Sequence, residues 1–302
     1  MDNGSLEVQH WFQSTRPRGR TRPSAVFAIF AVCWFQSTRP RGRTRLFNAS
    51  FSVEARPLDA IQKSGEVVIG VFSDKAPFGY VDAKGNYQGY DVYFGNRLAK
   101  DLGVKVKYVS VDPASRVEFL VTDKVDIILA NFTVTKERAE KVDFALPYMK
   151  VALGVVSPES APITKVEQLK GKTLIIAKGT TAETYFQENH PEVRQQKYDQ
   201  YADAYNALLD GRGDAFSTDN TEVLAWALVN KGFTVGITKL GNLETIAAAV
   251  QKGNKSLLDF INTEIVKLGK EQFFHKAYKE TLAPVYGAAS NPDDLVVEGG
   301  KL

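Results

Sequence analysis

The chain has 302 residues, of which 44% are hydrophobic, 24% charged and 11% aromatic, a composition that excludes a disordered chain and suits two globular domains. The net charge of +3 comes from the N-terminus, since residues 1–55 hold eight Arg and three acidic residues, whereas residues 56–302 hold 30 basic and 32 acidic residues. The body of the chain is therefore slightly acidic, and we expect no nucleic-acid partner.

Residues 1–55 have the character of an export leader. The sequence WFQSTRPRGRTR occurs at 11–22 and again at 34–45, and an apolar run of 11 residues at 25–35 begins between the copies and ends with the first two residues of the second. That run is too short for a transmembrane helix and follows a basic stretch, as in a signal peptide. Lipidation at Cys33, with membrane anchoring through the leader alone, a damaged or duplicated leader, and an artefact of gene prediction are alternatives that stay open.

Apolar spacing in the body predicts two successive α/β units. The first unit contains helices at 58–63, 90–102 and 115–122 and strands at 66–71, 104–111 and 125–130. The second contains strands at 151–157, 173–177, 214–218 and 234–240 and helices at 182–189, 202–209 and 220–230. A strand at 245–251 and two terminal helices, one with an apolar face over 257–268 and one at 272–282, are expected to pack back on the first unit.

This order predicts two lobes of the α/β class joined by two crossings. Lobe 1 comprises residues 56–148 and 245–302, and lobe 2 comprises residues 149–244. The crossings lie near 147–152 and 241–246, and a double crossing forms a hinge.

Four segments place polar residues where a predicted strand ends, which is where open α/β sheets bind ligands. They are residues 73–78, 130–138, 178–183 and 217–220. Thr135 is typical of a helix N-cap, and Arg138 one turn later either binds a carboxylate or stays solvated beside an acidic neighbour. The turn at Gly179 favours either an anion site or a simple threonine cap. Asp219 either pairs with an ammonium group or caps the helix that follows.

Catalytic and cofactor motifs are missing from the body. His190 and His275 have no companions at metal-ligand or triad spacing, and no cysteine occurs after residue 55. Neither a Walker A motif nor a dinucleotide-binding glycine pattern is present. We therefore expect no catalytic residue, no metal and no cofactor.

The chain carries an ordered set of motifs that identifies a family resemblance. The set is Gly89–Val92, Asn131–Arg138 (NFTVTKER), Phe144, Pro147-Tyr148, Lys178–Thr181, Gly213–Ala215 and Asp219. It resembles the polar amino-acid solute-binding proteins of ABC importers over essentially all of residues 56–302. The resemblance implies a type II periplasmic-binding-protein fold, with the ligand in the cleft between the lobes. It also implies a monomeric periplasmic or extracytoplasmic receptor that is not an enzyme and that delivers its ligand to an ABC permease.

The resemblance also implies roles for individual residues. Arg138 would clamp the α-carboxylate of an amino acid, with hydrogen bonds from Thr133 and Thr181, and Asp219 would bind the α-ammonium group. Phe78 would line the pocket. Three further ligand-binding candidates are Asn131, where the family often has Ser, Thr180 and Arg116.

Side-chain specificity is predicted from finer similarity. The segments at 116–133, 272–278 and 298–301 look most like the cysteine-binding subgroup, which favours L-cysteine as the ligand. Aspartate- and glutamate-binding proteins are also similar, and there an arginine near position 116 would hold the distal carboxylate. Cyclohexadienyl dehydratase shares the fold but needs a general acid, which the sequence does not single out. A sensor domain of a receptor or kinase would need a transmembrane helix and an effector domain, and we expect neither.

Overall fold

The structure, a computed structural model, describes residues 55–302. The predictions made for the leader, including the lipidation of Cys33, fall outside these residues. In the described part of the chain, helices surround an eight-stranded mixed sheet and a small three-stranded antiparallel sheet. This arrangement confirms the predicted α/β class. No helix within residues 55–302 combines the length and the apolar character needed to cross a membrane.

The first part of the chain follows the predicted order closely. Its elements are α1 (Leu58–Ser64), β1 (Glu66–Val71), β2 (Asp74–Lys75), β3 (Gly79–Val81), β4 (Tyr87–Gln88), α2 (Tyr90–Leu102), β5 (Lys105–Ser110), α3 (Arg116–Val121), β6 (Ile127–Ile128) and α4 (Lys136–Lys141). Helix α2 ends where Gly103 adopts a left-handed conformation and returns its amide to the last turn. The strand predicted at 125–130 is shorter than expected, since only Ile127 and Ile128 pair in the sheet.

Two long strands replace the breaks that the sequence suggested. β7 (Val142–Pro158) runs without interruption through Pro147-Tyr148, so the crossing predicted near 147–152 lies within one continuous strand. β11 (Phe233–Gln251) likewise joins the two strands predicted at 234–240 and 245–251. The two strands pair with each other, and register shifts interrupt the ladder at several points, one of them at the Ala247–Pro147 pair. Proline lacks an amide hydrogen, so an irregular ladder tolerates it better than a regular one does.

The remaining elements complete the sheet and the C-terminal helices. They are β8 (Thr173–Ala177), α5 (Thr181–Asn189), β9 (Arg194–Tyr198), α6 (Tyr201–Leu209), β10 (Ala215–Asp219), α7 (Asn220–Val229), α8 (Lys255–Lys270), α9 (Phe273–Thr281) and α10 (Ala283–Tyr286). Strand β9 was not predicted. Its sequence, RQQKY, has no apolar alternation because it forms an edge strand of the sheet.

The strand order is β5-β1-β6-β11-β7-β10-β8-β9, so the two long strands lie in the middle. We call β5, β1 and β6 the first half of the sheet, and β10, β8 and β9 the second half. Within each half the neighbouring strands are parallel. The division into lobes at 148/149 and 244/245 stays a prediction.

One apolar cluster connects the two halves and brings their polar loops together. It contains Phe72 and Phe132 from the first half and Phe216 and Trp226 from the second, all 1% exposed or less. Phe72 makes an edge contact with Tyr201 at the start of α6, with ring centres 5.4 Å apart. This apolar cluster therefore packs the segments that follow the strands of the first half against those of the second half.

Candidate functional site

Lys75 lies at the centre of the charged groups between the two halves. Its side chain is only 1% exposed, and its Nζ lies 3.0 Å from Asp219 Oδ2 and 2.9 Å from Glu222 Oε2. Nζ also donates to the Tyr201 hydroxyl at 3.2 Å and lies 4.5 Å from the centre of that ring. Burial by itself lowers the pKa of Lys75, but the two carboxylates raise it well above its ordinary value. Lys75 is therefore a buried cation.

In the structure, the Asp219 carboxylate pairs with the ammonium group of Lys75. Asp219 occupies the N-cap position of α7, but its side chain makes no capping hydrogen bond there. Its Oδ2 instead takes the Lys75 ammonium and accepts from Asn131 Nδ2 at 3.3 Å. Of the two interpretations open at the sequence level, the structure therefore favours charge pairing over capping.

Glu222, one turn into α7, is the second carboxylate that contacts Lys75. Its side chain is 1% exposed, and Thr218 Oγ1 donates to Oε2 at 3.2 Å. Burial raises the pKa of Glu222 to about 7, while Lys75 opposes that shift. Two carboxylates thus share one ammonium group.

Arg138 and Arg116 converge on a single carbonyl oxygen across the site. Arg138 Nη2 donates to the carbonyl oxygen of Gly179 at 2.8 Å, and Arg116 Nη2 donates to the same atom at 3.1 Å. Arg138 Nη1 donates to the carbonyl oxygen of Thr133 at 2.7 Å. Thr135 accepts from the Arg138 amide at 3.3 Å, which confirms the predicted N-cap of α4. Burial lowers the pKa of Arg138, and Asp219 opposes that shift.

The other donors of Arg116 are also used by the backbone. They reach the carbonyl oxygens of Pro113, Ala130 and Asn131 at 2.9, 3.0 and 3.1 Å. The guanidinium group also lies 4.6 Å from the centre of the Phe132 ring. Burial is the main cause that lowers the pKa of Arg116, to about 9, and the neighbouring cation of Arg138 contributes. Arg116 therefore ties together the segments around the site.

Asn131 is held in an uncommon backbone conformation. Its φ of 42° is left-handed, which Asn tolerates better than most residues, and its amide donates to Asp91 Oδ2 at 2.9 Å. Tyr148 donates to the other oxygen of Asp91 at 2.7 Å, and burial raises the pKa of Asp91 to about 7. Asn131 Oδ1 is buried and, among the described residues, accepts no hydrogen bond. A free acceptor therefore lies on the side chain that contacts Asp219.

The predicted threonines lie close to these groups but differ in what they do. Thr180 Oγ1 donates to the carbonyl oxygen of Ala177 at 2.7 Å and accepts from the Glu183 amide at 3.3 Å, so this hydroxyl caps α5. The Thr181 side chain hydrogen-bonds to Glu244, whose pKa is raised mainly by burial. Thr133 is buried beside Arg138.

The Phe78 side chain belongs to the core, although its amide donates to the carbonyl oxygen of Lys75 at 2.9 Å. It is fully buried in the core cluster that also contains Tyr90 and Phe94. The aromatic rings beside the cations belong to Phe72 and Tyr201, with the Phe72 ring centre 5.4 Å from Lys75 Nζ. In the structure, Phe72 rather than Phe78 provides the apolar wall next to the charged groups.

Five of the eight predicted ligand-binding residues lie in this charged network, and other residues of the network were not predicted. Arg138, Asp219, Thr133, Asn131 and Arg116 contact the charged network, either through side chains or through the backbone. The missed residues are Lys75, Glu222, Tyr201, Phe72 and Asp91. Lys75 and Phe72 flank the end of β1, where polar residues were noted, and Glu222 follows Asp219 by one helical turn, so their positions gave a partial signal.

The network presents opposite charges in fixed positions, a chemistry that suits a zwitterion. It contains the guanidinium groups of Arg116 and Arg138, the Asp219 carboxylate and the free oxygen of Asn131. Buried charges are stable only with such partners. Within residues 55–302, no group of three or more His, Cys, Asp or Glu residues is arranged to hold a metal ion.

Two solved structures are more than half identical to this chain. The cysteine-binding protein from Campylobacter jejuni is 56% identical with a TM-score of 0.79, and the match covers 80% of this chain and 98% of that one. The solute receptor for L-cysteine of Neisseria gonorrhoeae is 53% identical with a TM-score of 0.79, over 80% and 100% of the two chains.

Curated relatives are more distant and mostly named as binding proteins. The ABC transporter glutamine-binding protein of Bacillus subtilis is 30% identical over 228 residues, 74% of this chain and 83% of the relative. The cyclohexadienyl dehydratase of Pseudomonas aeruginosa is 28% identical over 181 residues, 59% of this chain and 68% of the enzyme.

The fold and the family agree with the predicted resemblance. The mixed α/β architecture matches that of the solved relatives, which confirms the type II periplasmic-binding-protein fold. The profile of the bacterial extracellular solute-binding proteins, family 3, matches residues 67–283. The chain therefore belongs to the bacterial extracellular solute-binding proteins of family 3.

Proposed function

We propose that this protein is an extracytoplasmic receptor that captures L-cysteine and delivers it to an ABC permease. Its similarity to two cysteine receptors, at 56% and 53% identity, supports the choice of ligand. The observation that carries the proposal is the free buried acceptor, Asn131 Oδ1, beside Asp219. An ammonium group needs several acceptors once it leaves water, and these two residues supply them.

In the proposed complex, the α-ammonium group of the ligand contacts Asp219 and Asn131. The α-carboxylate takes a donor pair from Arg138, whose planar fork matches a carboxylate. The Thr181 hydroxyl, which hydrogen-bonds to Glu244 in the structure, would turn to the α-carboxylate as a further donor. Phe72 and Tyr201 form the apolar wall beside the small side chain.

The hydrogen bonds that Arg116 already makes to the backbone favour a neutral ligand over an acidic one. Its guanidinium group already donates to four backbone carbonyl oxygens, and Lys75 is shared between two carboxylates. A distal carboxylate of aspartate or glutamate would therefore have to break existing charged hydrogen bonds to find a cation here. We infer that L-cysteine binds more tightly than either acidic amino acid.

Closure of the two predicted lobes would bury the ligand. Lobe 1 comprises residues 56–148 and 245–302, and lobe 2 comprises residues 149–244. The carbonyl oxygen of Gly179, between β8 and α5, accepts hydrogen bonds from Arg116 in α3 and Arg138 in α4, and these helices belong to predicted lobe 1. Asp74 makes another connection, since its Oδ2 accepts from the Ala202 amide in α6 at 3.0 Å. We infer that β7 and β11 bend between the lobes and that the ligand shifts the equilibrium toward the closed form.

Catalysis is the alternative from a different class, because a cyclohexadienyl dehydratase is among the relatives. Dehydration needs a general acid, and Glu222 has an elevated pKa. Its carboxylate, however, pairs with the Lys75 ammonium at 2.9 Å, which stabilises the ionised form and opposes a role as proton donor. We therefore propose a monomeric binding protein that turns over neither prephenate nor arogenate.

Calorimetric titration with L-cysteine under reducing conditions tests this proposal, with L-aspartate, L-glutamate and prephenate as comparison ligands. We expect one-to-one binding of L-cysteine and its loss in Arg138→Ala. Arg212→Ala is a matched control, since that arginine is exposed and pairs with Asp210. Equal binding of L-glutamate would refute the ligand assignment, and unchanged affinity in Arg138→Ala would remove this residue from the site.

A further inference from the structure

Lys75 fills a position that is built to hold a cation. Two carboxylates, Asp219 and Glu222, lie within 3.0 Å of its Nζ, and the Tyr201 hydroxyl lies at 3.2 Å. The rings of Tyr201 and Phe72 lie 4.5 and 5.4 Å from Nζ. Carboxylates and aromatic rings together favour a cation strongly when water is excluded.

We propose that Lys75 sets the charge specificity of the site by occupying this position itself, so that amino acids with basic side chains are excluded. The inference rests on the proposed function, in that it takes the ligand to bind beside Asp219. It goes further because it assigns the rejection of one ligand class to a single residue of the chain.

A count of charges explains the exclusion. Asp219 and Glu222 supply two negative charges, and Lys75 supplies one positive charge. The α-ammonium group of a neutral amino acid supplies the second and completes the balance. A basic side chain would bring a third cation into a neutralised cluster that already lies close to Arg116 and Arg138, and it would pay the full cost of leaving water.

Shortening Lys75 should reverse this preference. Lys75→Ala leaves both carboxylates and both rings in place and frees the volume of the lysine side chain. The side-chain cation of L-ornithine or L-arginine then supplies the missing charge, while its α-ammonium group takes Asp219. The variant should therefore gain a ligand class that the natural protein rejects.

The test is calorimetric titration of the natural protein and Lys75→Ala with L-cysteine, L-ornithine and L-arginine. We expect the natural protein to bind L-cysteine only. In Lys75→Ala, the affinity for at least one basic amino acid should rise by about 100-fold or more, and that ligand should raise the melting temperature of the variant. Lys63→Ala is the matched control, because Lys63 is exposed and pairs with Asp59 on the same helix. It should keep the natural specificity.

A second variant tests the inference without removing Lys75. In Glu222→Gln one carboxylate is left, so Lys75 and the ligand's ammonium compete for Asp219, and L-cysteine affinity should fall by about tenfold or more. Unchanged L-cysteine affinity in this variant, or a folded Lys75→Ala that binds L-cysteine but no basic amino acid, overturns the inference. A natural protein that binds no L-cysteine would instead overturn the proposed function.

Discussion

Gly179 offers the most direct test of closure around a ligand. Its φ of +74° is left-handed, and a Cβ added there would lie 2.5 Å from Ala114 Cα and 2.8 Å from the Ala114 backbone nitrogen. These are backbone atoms, so no side-chain rotation relieves the contact. The variant Gly179→Ala therefore forces the loop before α5 away from the segment that precedes α3.

The size of the effect follows from two contributions. The left-handed conformation costs alanine about 1–2 kcal/mol, and this cost applies whether or not the ligand is bound. Relief of the contact requires the segments to separate by about 1 Å, which weakens the hydrogen bonds from Arg116 and Arg138 to the Gly179 carbonyl oxygen. Hydrogen bonds to charged groups contribute about 1.5–3 kcal/mol each. A loss of about 3 kcal/mol from the closed form weakens ligand binding by about 100-fold.

Gly171→Ala separates these two contributions. Gly171 has a φ of +76°, but an added Cβ would find no atom within 4 Å. Both variants should lose similar free energy of unfolding in urea, measured without ligand. Only Gly179→Ala should lose L-cysteine affinity in calorimetry. If the two variants bind L-cysteine equally well, the contact at Ala114 does not belong to the ligand-bound form and the reasoning about closure is wrong.

Three further predictions concern stability. Burial raises the pKa of Glu222 to about 7 from 4.5, so folded Glu222 holds a proton that the unfolded state has lost between these values. Glu222 should therefore contribute a fall of about 3 kcal/mol in the free energy of unfolding as pH rises through this window. Asp91, whose pKa burial also raises to about 7, adds a fall of the same sign. Urea unfolding at pH 5 and pH 8 should show this fall in the natural protein and a smaller fall in Glu222→Gln. An equal change in the free energy of unfolding between the two pH values in both proteins would contradict the prediction. Phe94→Ala removes a fully buried ring that packs on Phe274 at 5.0 Å, and it should cost about 3–5 kcal/mol in urea unfolding, against under 1 kcal/mol for the exposed Leu243→Ala. Arg116→Met leaves buried carbonyl oxygens without their donor and should cost about 3 kcal/mol or more, whereas a cost below 1 kcal/mol would mean that water replaces the guanidinium group.

The sequence was sufficient for elements whose hydrophobic period is clear. The predicted bounds of β1, α2 and β8 agree with the structure residue for residue, and the cap at Thr135 was recognised from local chemistry alone. Such features depend on neighbours within a few positions of the chain. Local patterns are therefore enough to predict them, because the local preference agrees with the fold.

Other features depended on contacts that the sequence does not display. The crossing predicted near 147–152 showed no sign of a continuous strand, yet irregular pairing with β11 lets β7 continue through Pro147. Phe72 and Phe78 flank the same polar segment, and only the packing of that segment decides which ring faces the cations. Lys75 meets Asp219 across 144 positions of sequence. No local pattern distinguishes such a lysine from an exposed one.

The charge cluster suggests why a ligand-binding protein of this kind is poised to close. A buried carboxylate without a cation is costly, and the protein reduces this cost by sharing Lys75 between Asp219 and Glu222 and by raising the pKa of Glu222. This solution is incomplete, because one ammonium group serves two acids. In the proposed complex, a ligand's ammonium group would supply the missing charge, allow Glu222 to ionise and hydrogen-bond to the free oxygen of Asn131. The proposed binding energy thus comes from the excess of negative charge that remains when Asp219 and Glu222 share Lys75. Only a ligand with one free ammonium group would balance this charge.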